Sequence, residues 1–187
     1  MTVSTWSRKR AVKRRYDLTA QMYDERYSEE QEAKYQAALQ CLSLSRDSAV
    51  LDVGCGTGLF FRHAIEKAKA LVGVDISRTL LLKARDRAKA CGNIYVVQAD
   101  ADHLPFRDAF FRSVFVFTVL QNMPKPVETL REAKRALRQD GSLVVTGLKK
   151  AISLKALGRM LTRAGLRVVF FKDDEALRCY VTVNVKT

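Results

Sequence analysis

Residues that bind metal or form disulfides are scarce in this chain. Its 187 residues include four cysteines (Cys41, Cys55, Cys91 and Cys179) and two histidines (His63 and His103). No two cysteines form a CxxC pair, which argues against a metal site or a disulfide scaffold. Unpaired thiols fit a reducing compartment, so a cytoplasmic location is expected. Long apolar runs are missing too. The longest, Val114 to Leu120, has seven residues with Thr118 inside it, against about 20 for a membrane-spanning helix. No apolar stretch follows the basic residues of Met1 to Arg15, so neither a secretory signal nor a membrane partner is expected. Repeats and low-complexity tracts are absent, and there are only three prolines. With 48% apolar and 28% charged residues, the chain can bury a core of its own, which argues against disorder.

Acidic residues are in the minority, 20 against 33 Lys and Arg. Residues 1–15 carry net +6, residues 16–124 net −1 and residues 125–167 net +8. Two basic segments thus flank a near-neutral middle. Residues 1–15 read as a flexible basic arm and residues 16–187 as one domain. Such charge attracts polyanions, and RNA is the expected partner, bound by the arm and the Lys125–Arg167 surface.

Helix-forming residues dominate Tyr16 to Leu42. Ala49 to Val53 is a short apolar run ended by glycines, as a buried parallel strand is. Strand and helix then alternate. Strands are expected over Ala70–Val74, Ile94–Gln98, Ser113–Val119, Ser142–Thr146, Leu166–Phe171 and Cys179–Val185. Helices are expected over Leu59–Lys69, Ser77–Ala90 with Ser77 as N-cap, Pro126–Leu137 stopped by Gly141, and Ser153–Ala164. This alternation predicts an α/β domain on a mostly parallel sheet. The last two strands have no helix between them and should pair as an antiparallel hairpin.

Leu51-Asp52-Val53-Gly54-Cys55-Gly56-Thr57-Gly58 follows the first strand and opens a helix. Its glycines allow a tight turn and close approach of a ligand to the backbone. The spacing is GxGxG; Leu59 stands where a nicotinamide fingerprint needs its third glycine, and no Walker lysine follows. Asp75 ends the second strand, where a carboxylate can accept both hydroxyls of a ribose.

Val50 to Gly58 resembles motif I of the class I S-adenosylmethionine-dependent methyltransferases. Val72 to Ser77 resembles the second motif, Gln98 to Phe106 the segment after strand three, Val114 to Pro124 the fourth motif, and Leu137 to Val145 the lead into strand five. The order is that of the enzymes of ubiquinone and menaquinone biosynthesis. The resemblance implies a Rossmann-like seven-stranded sheet of order 3-2-1-4-5-7-6, strand 7 antiparallel, with helices on both faces, and S-adenosylmethionine as cofactor. It implies that Gly54, Cys55, Gly56 and Gly58 form the cofactor loop, that Asp52 faces the methionine amino group, and that Asp75 with Ile76 holds the ribose. Asp100 and Ala101 would meet the adenine, the Thr118 carbonyl the methionine amine, and Tyr16 and Tyr23 would lid the site. Gln121 and Asn122 stand where many relatives have two histidines. They, with His103, are the candidate catalytic residues, and no general base is evident.

The expected activity is in-line methyl transfer, with RNA as the favoured substrate and a small molecule as the alternative. In a third reading the chain needs a small zinc-binding activator protein, paired to the strand Ile94 to Gln98, as similar methyltransferases do.

Overall fold

The computed structural model describes residues 4–187. Seven strands make one sheet in the order β3-β2-β1-β4-β5-β7-β6. β1 (Ala49–Val53), β2 (Ala70–Asp75), β3 (Ile94–Gln98), β4 (Phe111–Val116) and β5 (Leu137–Leu148) are mutually parallel. β7 (Cys179–Lys186) runs antiparallel to both β5 and β6 (Leu166–Lys172). The expected order and the reversed last strand are both present.

Side chains alternate across the sheet, as the period of two demands. Val50, Phe115, Val144 and Val183 face one layer, built by α2 (Tyr23–Gln40), the one-turn α3 (Phe61–Ala64) and α4 (Arg78–Ala88). Leu51, Val114, Val116 and Leu143 face the other, built by α5 (Pro126–Ala136) and α6 (Leu154–Arg163). Tyr35, Phe60, Phe115 and Phe117 form an aromatic knot, with centroids 4.6 Å apart for Phe60 and Phe115. Burying each such ring stabilises the fold by about 1.5–3 kcal/mol. Ser77 caps α4 as expected, its hydroxyl accepting from the Leu80 N–H at 3.2 Å.

Four expectations need correction. The basic segment is no flexible arm from residue 5 on: α1 (Thr5–Thr19) is a helix with a buried residue, Lys9. Its cause is a distant ionic partner for Lys9, described below; residues 1–3 lie outside the described residues. The expected helix from Tyr16 to Leu42 is broken by a 3₁₀ turn at Ala20–Met22, which bends the chain from α1 into α2. Gly141 does not stop a helix but lies inside β5, opposite an irregularity of β4, where a Cβ would come within 2.7 Å of the Arg112 carbonyl oxygen. β4 also ends three residues before the expected Val119, because Thr118 takes a left-handed φ of +58°.

No helix among the described residues is long and apolar enough to cross a membrane.

Candidate active site

The carboxyl ends of β1, β2 and β4 open into a cavity of about 500 Å³, roofed by α1 and α2. Its floor is the glycine loop. The N–H groups of Gly54 and Cys55 both donate to the Val74 carbonyl, at 2.7 and 3.0 Å, locking the loop onto β2. At Gly56, where φ is +56°, a Cβ would meet the Tyr23 hydroxyl at 3.4 Å and the ring edge at 3.5 Å, so the backbone there lies beneath that side chain. Gly54 and Gly58 have a packing reason as well: a Cβ would collide with the Val119 side chain at the first and with the Phe61 ring at the second.

Asp75 closes the β2 tip. One oxygen accepts from the Gly56 N–H (3.0 Å) and the other from the Ser77 N–H (2.8 Å). Each carboxylate oxygen keeps a further lone pair for a ligand hydroxyl. Burial raises the Asp75 pKa. Asp52, beneath it and 2% exposed, makes no hydrogen bond through its carboxylate among the described residues. Burial, with Asp75 close by, pushes its pKa up to about 8. Two buried carboxylates without a cation between them are a place where a positive ligand group is favoured.

The roof is pinned at several points. On α1, Lys9 Nζ lies 2.7 Å from Asp100 and 2.5 Å from Asp102, just after β3. Asp17 accepts from the Ser77 hydroxyl at 2.6 Å. On α2, Asp24 accepts from Thr57 of the glycine loop (2.6 Å) and pairs with Arg87 of α4 (2.7 Å). Lys34, 1% exposed, reaches the Thr118 hydroxyl at 2.9 Å and Glu30 at 2.8 Å.

Thr118 is the crossing point of the far wall. Its N–H donates to the Thr146 hydroxyl (2.8 Å), and its carbonyl accepts from Gln121 (2.5 Å) and more loosely from Asn122 (3.4 Å). Left-handed backbone on a β-branched residue is strained, and strain of this kind gathers at functional sites. Asn122 also donates to the Tyr16 hydroxyl (3.1 Å) and accepts from Arg15 (2.8 Å), tying α1 to the segment after β4. The side-chain oxygens of Gln31 and Gln121 are buried without a protein partner, and both residues line the cavity.

Of the residues singled out in the sequence, Tyr16, Tyr23, Gly54, Gly56, Asp75, Ile76, Asp100, Ala101, Thr118, Gln121 and Asn122 share the wall of this cavity. Cys55 points its buried thiol into the core with Leu59 and Phe61, and burial lifts its pKa well above the usual thiol range. Gly58 and Asp52 sit below the cavity surface. His103 is exposed on the outer side of the turn after β3, and His63 pairs with Glu32 at 3.0 Å away from the site. Lys9, Gln31 and Lys34 were not singled out. A signal existed for two of them: Tyr23, Tyr27, Gln31 and Lys34 recur at helical spacing on one face of α2.

The family model described as methyltransferase domain matches residues 51–145 of the chain. The malonyl-[acyl-carrier protein] O-methyltransferase of Marinomonas sp. (strain MWYL1) is 30% identical over 150 residues, 79% of this chain and 55% of that protein. The demethylmenaquinone methyltransferase of Tropheryma whipplei (strain Twist) is 34% identical over 138 residues, 72% of this chain and 57% of that protein. The chain thus spans little more than half the length of these curated relatives. Among solved structures, it superposes with a TM-score of 0.77 and 18% identity, over 91% of this chain and 96% of the other, on a chain from the complex between the Haloferax volcanii Trm112 methyltransferase activator and a methyltransferase.

Proposed function

Because the chain belongs to the methyltransferase domain family, with the class I fold and S-adenosylmethionine as its cofactor, we propose that it transfers a methyl group to a small molecule held in the roofed cavity. The cofactor supplies a methyl carbon already activated on a sulfonium. The protein's tasks are then alignment and exclusion of water. Asp75 accepts the ribose hydroxyls, and the Gly54–Gly56 backbone passes under the methionine part. Asp52 offers the negative charge its ammonium group needs, and the Thr118 carbonyl accepts from it. Asp100 and the Ala101 N–H address the adenine, with Ile76 beside the sugar. Tyr16 and Tyr23 cover the site from above. The fit rests on the buried, cation-free pair of Asp52 and Asp75.

The observation that carries the small-molecule reading is the roof. α1 and α2 cover the cavity and are held down at Lys9, Asp17, Asp24 and Lys34, so a polymer could reach it only by extruding one nucleotide past them, whereas a small molecule enters whole. Part of the basic surface, which favoured RNA in the sequence, is occupied: of the 11 Lys and Arg of residues 125–167, four are in ion pairs, Arg131 with Glu128, Arg135 with Glu132 and Asp108, Arg138 with Asp140 and Lys149 with Asp173. In the basic N-terminal segment two of the six cations, Lys9 and Lys13, are paired. The test is labelled S-adenosylmethionine incubated with the protein and a cell extract divided into RNA, protein and small-molecule fractions. Label in the small-molecule fraction is expected; label in RNA alone would restore the polyanion reading.

An activator partner is favoured by one feature. β3 is an open edge of the sheet, and its Tyr95 is 55% exposed. An unpaired edge with an exposed aromatic invites a partner strand. Co-purification with a small zinc-binding protein, abolished by Tyr95→Lys, would support it; monomeric, fully active protein on its own would remove it.

A further inference from the structure

β6 is the end of the sheet opposite β3, and no strand pairs with its outer side. Its middle reads Val168-Val169-Phe170-Phe171. All four side chains are exposed, by 41, 49, 39 and 41%. Among the described residues they are the only consecutive large apolar side chains left in water. The pairing with β7 shows why neither helix layer covers them. Val168 and Phe171 stand opposite Asn184 and Thr182, and Phe170 opposite Val183, so apolar side chains fall on both faces. On one face Phe171 meets the Tyr180 ring, centroids 6.2 Å apart, and stays exposed. On the other, α2 packs against β7, the inner neighbour of the edge strand.

An open edge is a template for a further strand, and proteins blunt such edges with charge, proline or a bulge. Between Arg167 and Lys172, β6 has neither charge nor proline. Its one irregularity is a shift of register against β7 between Val168 and Phe170. A lipid surface would cover the side chains but leave the N–H and C=O groups of the edge unpaired. A strand satisfies both. The charges around β6 identify which strand. Arg163 and Arg167 stand before the apolar run, and Asp173, Asp174 and Glu175 after it. Arg167 is exposed and in no ion pair among the described residues. A strand that is positive at its start and negative past its end complements a copy of itself run antiparallel.

We propose that β6 is a homodimer interface, in which two copies pair their β6 edges antiparallel about a two-fold axis at Phe170 and join two sheets into one. In that register Phe170 faces Phe170 of the second copy, Val169 faces Phe171 of the second copy, and Arg167 faces Asp173 of the second copy. A slip of one residue would instead set Arg167 against Lys172 of the second copy, and like charges directly opposite destabilise. The interface is isologous, each patch meeting its own copy. The pairing does not depend on the reaction proposed above.

The test is sedimentation of the full chain over a range of concentrations. A reversible species of twice the 21.1 kDa chain mass is expected. Phe170→Lys should give a monomer with unchanged circular dichroism, since the ring lies outside the core. Val169→Lys, at the most exposed of the four, is the second variant if the first misfolds. Arg167→Asp should weaken the dimer about tenfold, two cross-strand charge pairs being replaced by repulsion. Adding Asp173→Arg to it should restore the dimer. Wild-type protein that stays monomeric at its highest soluble concentration overturns the proposal, also where that monomer binds anionic vesicles or transfer RNA instead. A dimer that survives both lysine variants lies elsewhere and overturns it too. A dimer lost in the lysine variants but indifferent to the charge exchange overturns the register at Phe170.

Discussion

Lys9 and Asp100 are 91 residues apart in the chain, yet the Lys9 ammonium lies 2.8 and 2.7 Å from the two Asp100 oxygens. The lysine is 6% exposed. Burial alone would lower its pKa, but Asp100 and Asp102 outweigh that and hold it above the ordinary lysine value. A helix poor in apolar residues is thereby fastened over the adenine side of the cavity, through the carboxylate assigned to the adenine amine. On the proposed adenine assignment, α1 and cofactor binding are coupled through Asp100.

Replacing Lys9 by Met should therefore do two things. It leaves Asp100 and Asp102 partly buried without their cation, and breaking such a pair costs about 3 kcal/mol or more. Urea unfolding should show that loss. It should also free α1, so limited proteolysis should cut within residues 5–19 first, and bound cofactor should slow the cut less than in the wild type. Cleavage rates equal to wild type would mean that α1 is held by other contacts.

Asp75→Ala should weaken S-adenosylmethionine binding by roughly 1.5–3 kcal/mol, the range for hydrogen bonds to a charged group. Asp75→Asn should fall between, since it keeps an acceptor for Gly56 or Ser77. Calorimetry decides this; unchanged affinity in the alanine variant would remove the ribose assignment.

The sheet was legible in the sequence almost strand for strand. β1 and β2 are nearly pure apolar runs ended by Gly54 and Asp75, and two short strands with no helix between them can only make a hairpin. Half of the cavity was legible as well, because the glycine loop, Asp75 and Asp100 are consecutive with strand ends. The other half comes from α1 and α2, and its makers are charged. Lys9 and Lys34 look like surface residues in any window of sequence, since what buries them is an acid or a hydroxyl 84 to 91 residues away. Gly141 misled for a related reason: a glycine after a helical stretch reads as a stop, whereas its space is claimed by the Arg112 carbonyl of the neighbouring strand.

His103 is exposed on the outer side of the turn after β3, so His103→Ala should alter turnover less than about tenfold, a general base being worth about 10² or more. A loss near 1,000-fold with cofactor affinity intact would return it to the chemistry.

Asp52 gives the cofactor site a pH dependence of defined sign. Its folded-state pKa, about 8, lies above that of an unfolded aspartate, about 3.9. Between these values the folded state holds a proton that the unfolded state has released, so Asp52 lowers stability progressively as pH rises through that window. A ligand ammonium needs the ionised form. Binding below pH 8 must expel the proton, and affinity should weaken by up to about tenfold per unit as pH falls from 8 toward 6. Calorimetry at pH 7 in two buffers of different ionisation enthalpy should detect up to one proton released per cofactor bound. Asp52→Asn should abolish the release, weaken binding at pH 8.5, and make the free protein more stable there by at least about 1 kcal/mol. A stabilised variant that binds less well is the mark of a carboxylate kept for its ligand. A variant that loses stability at pH 8.5 would mean that Asp52 holds the fold together instead.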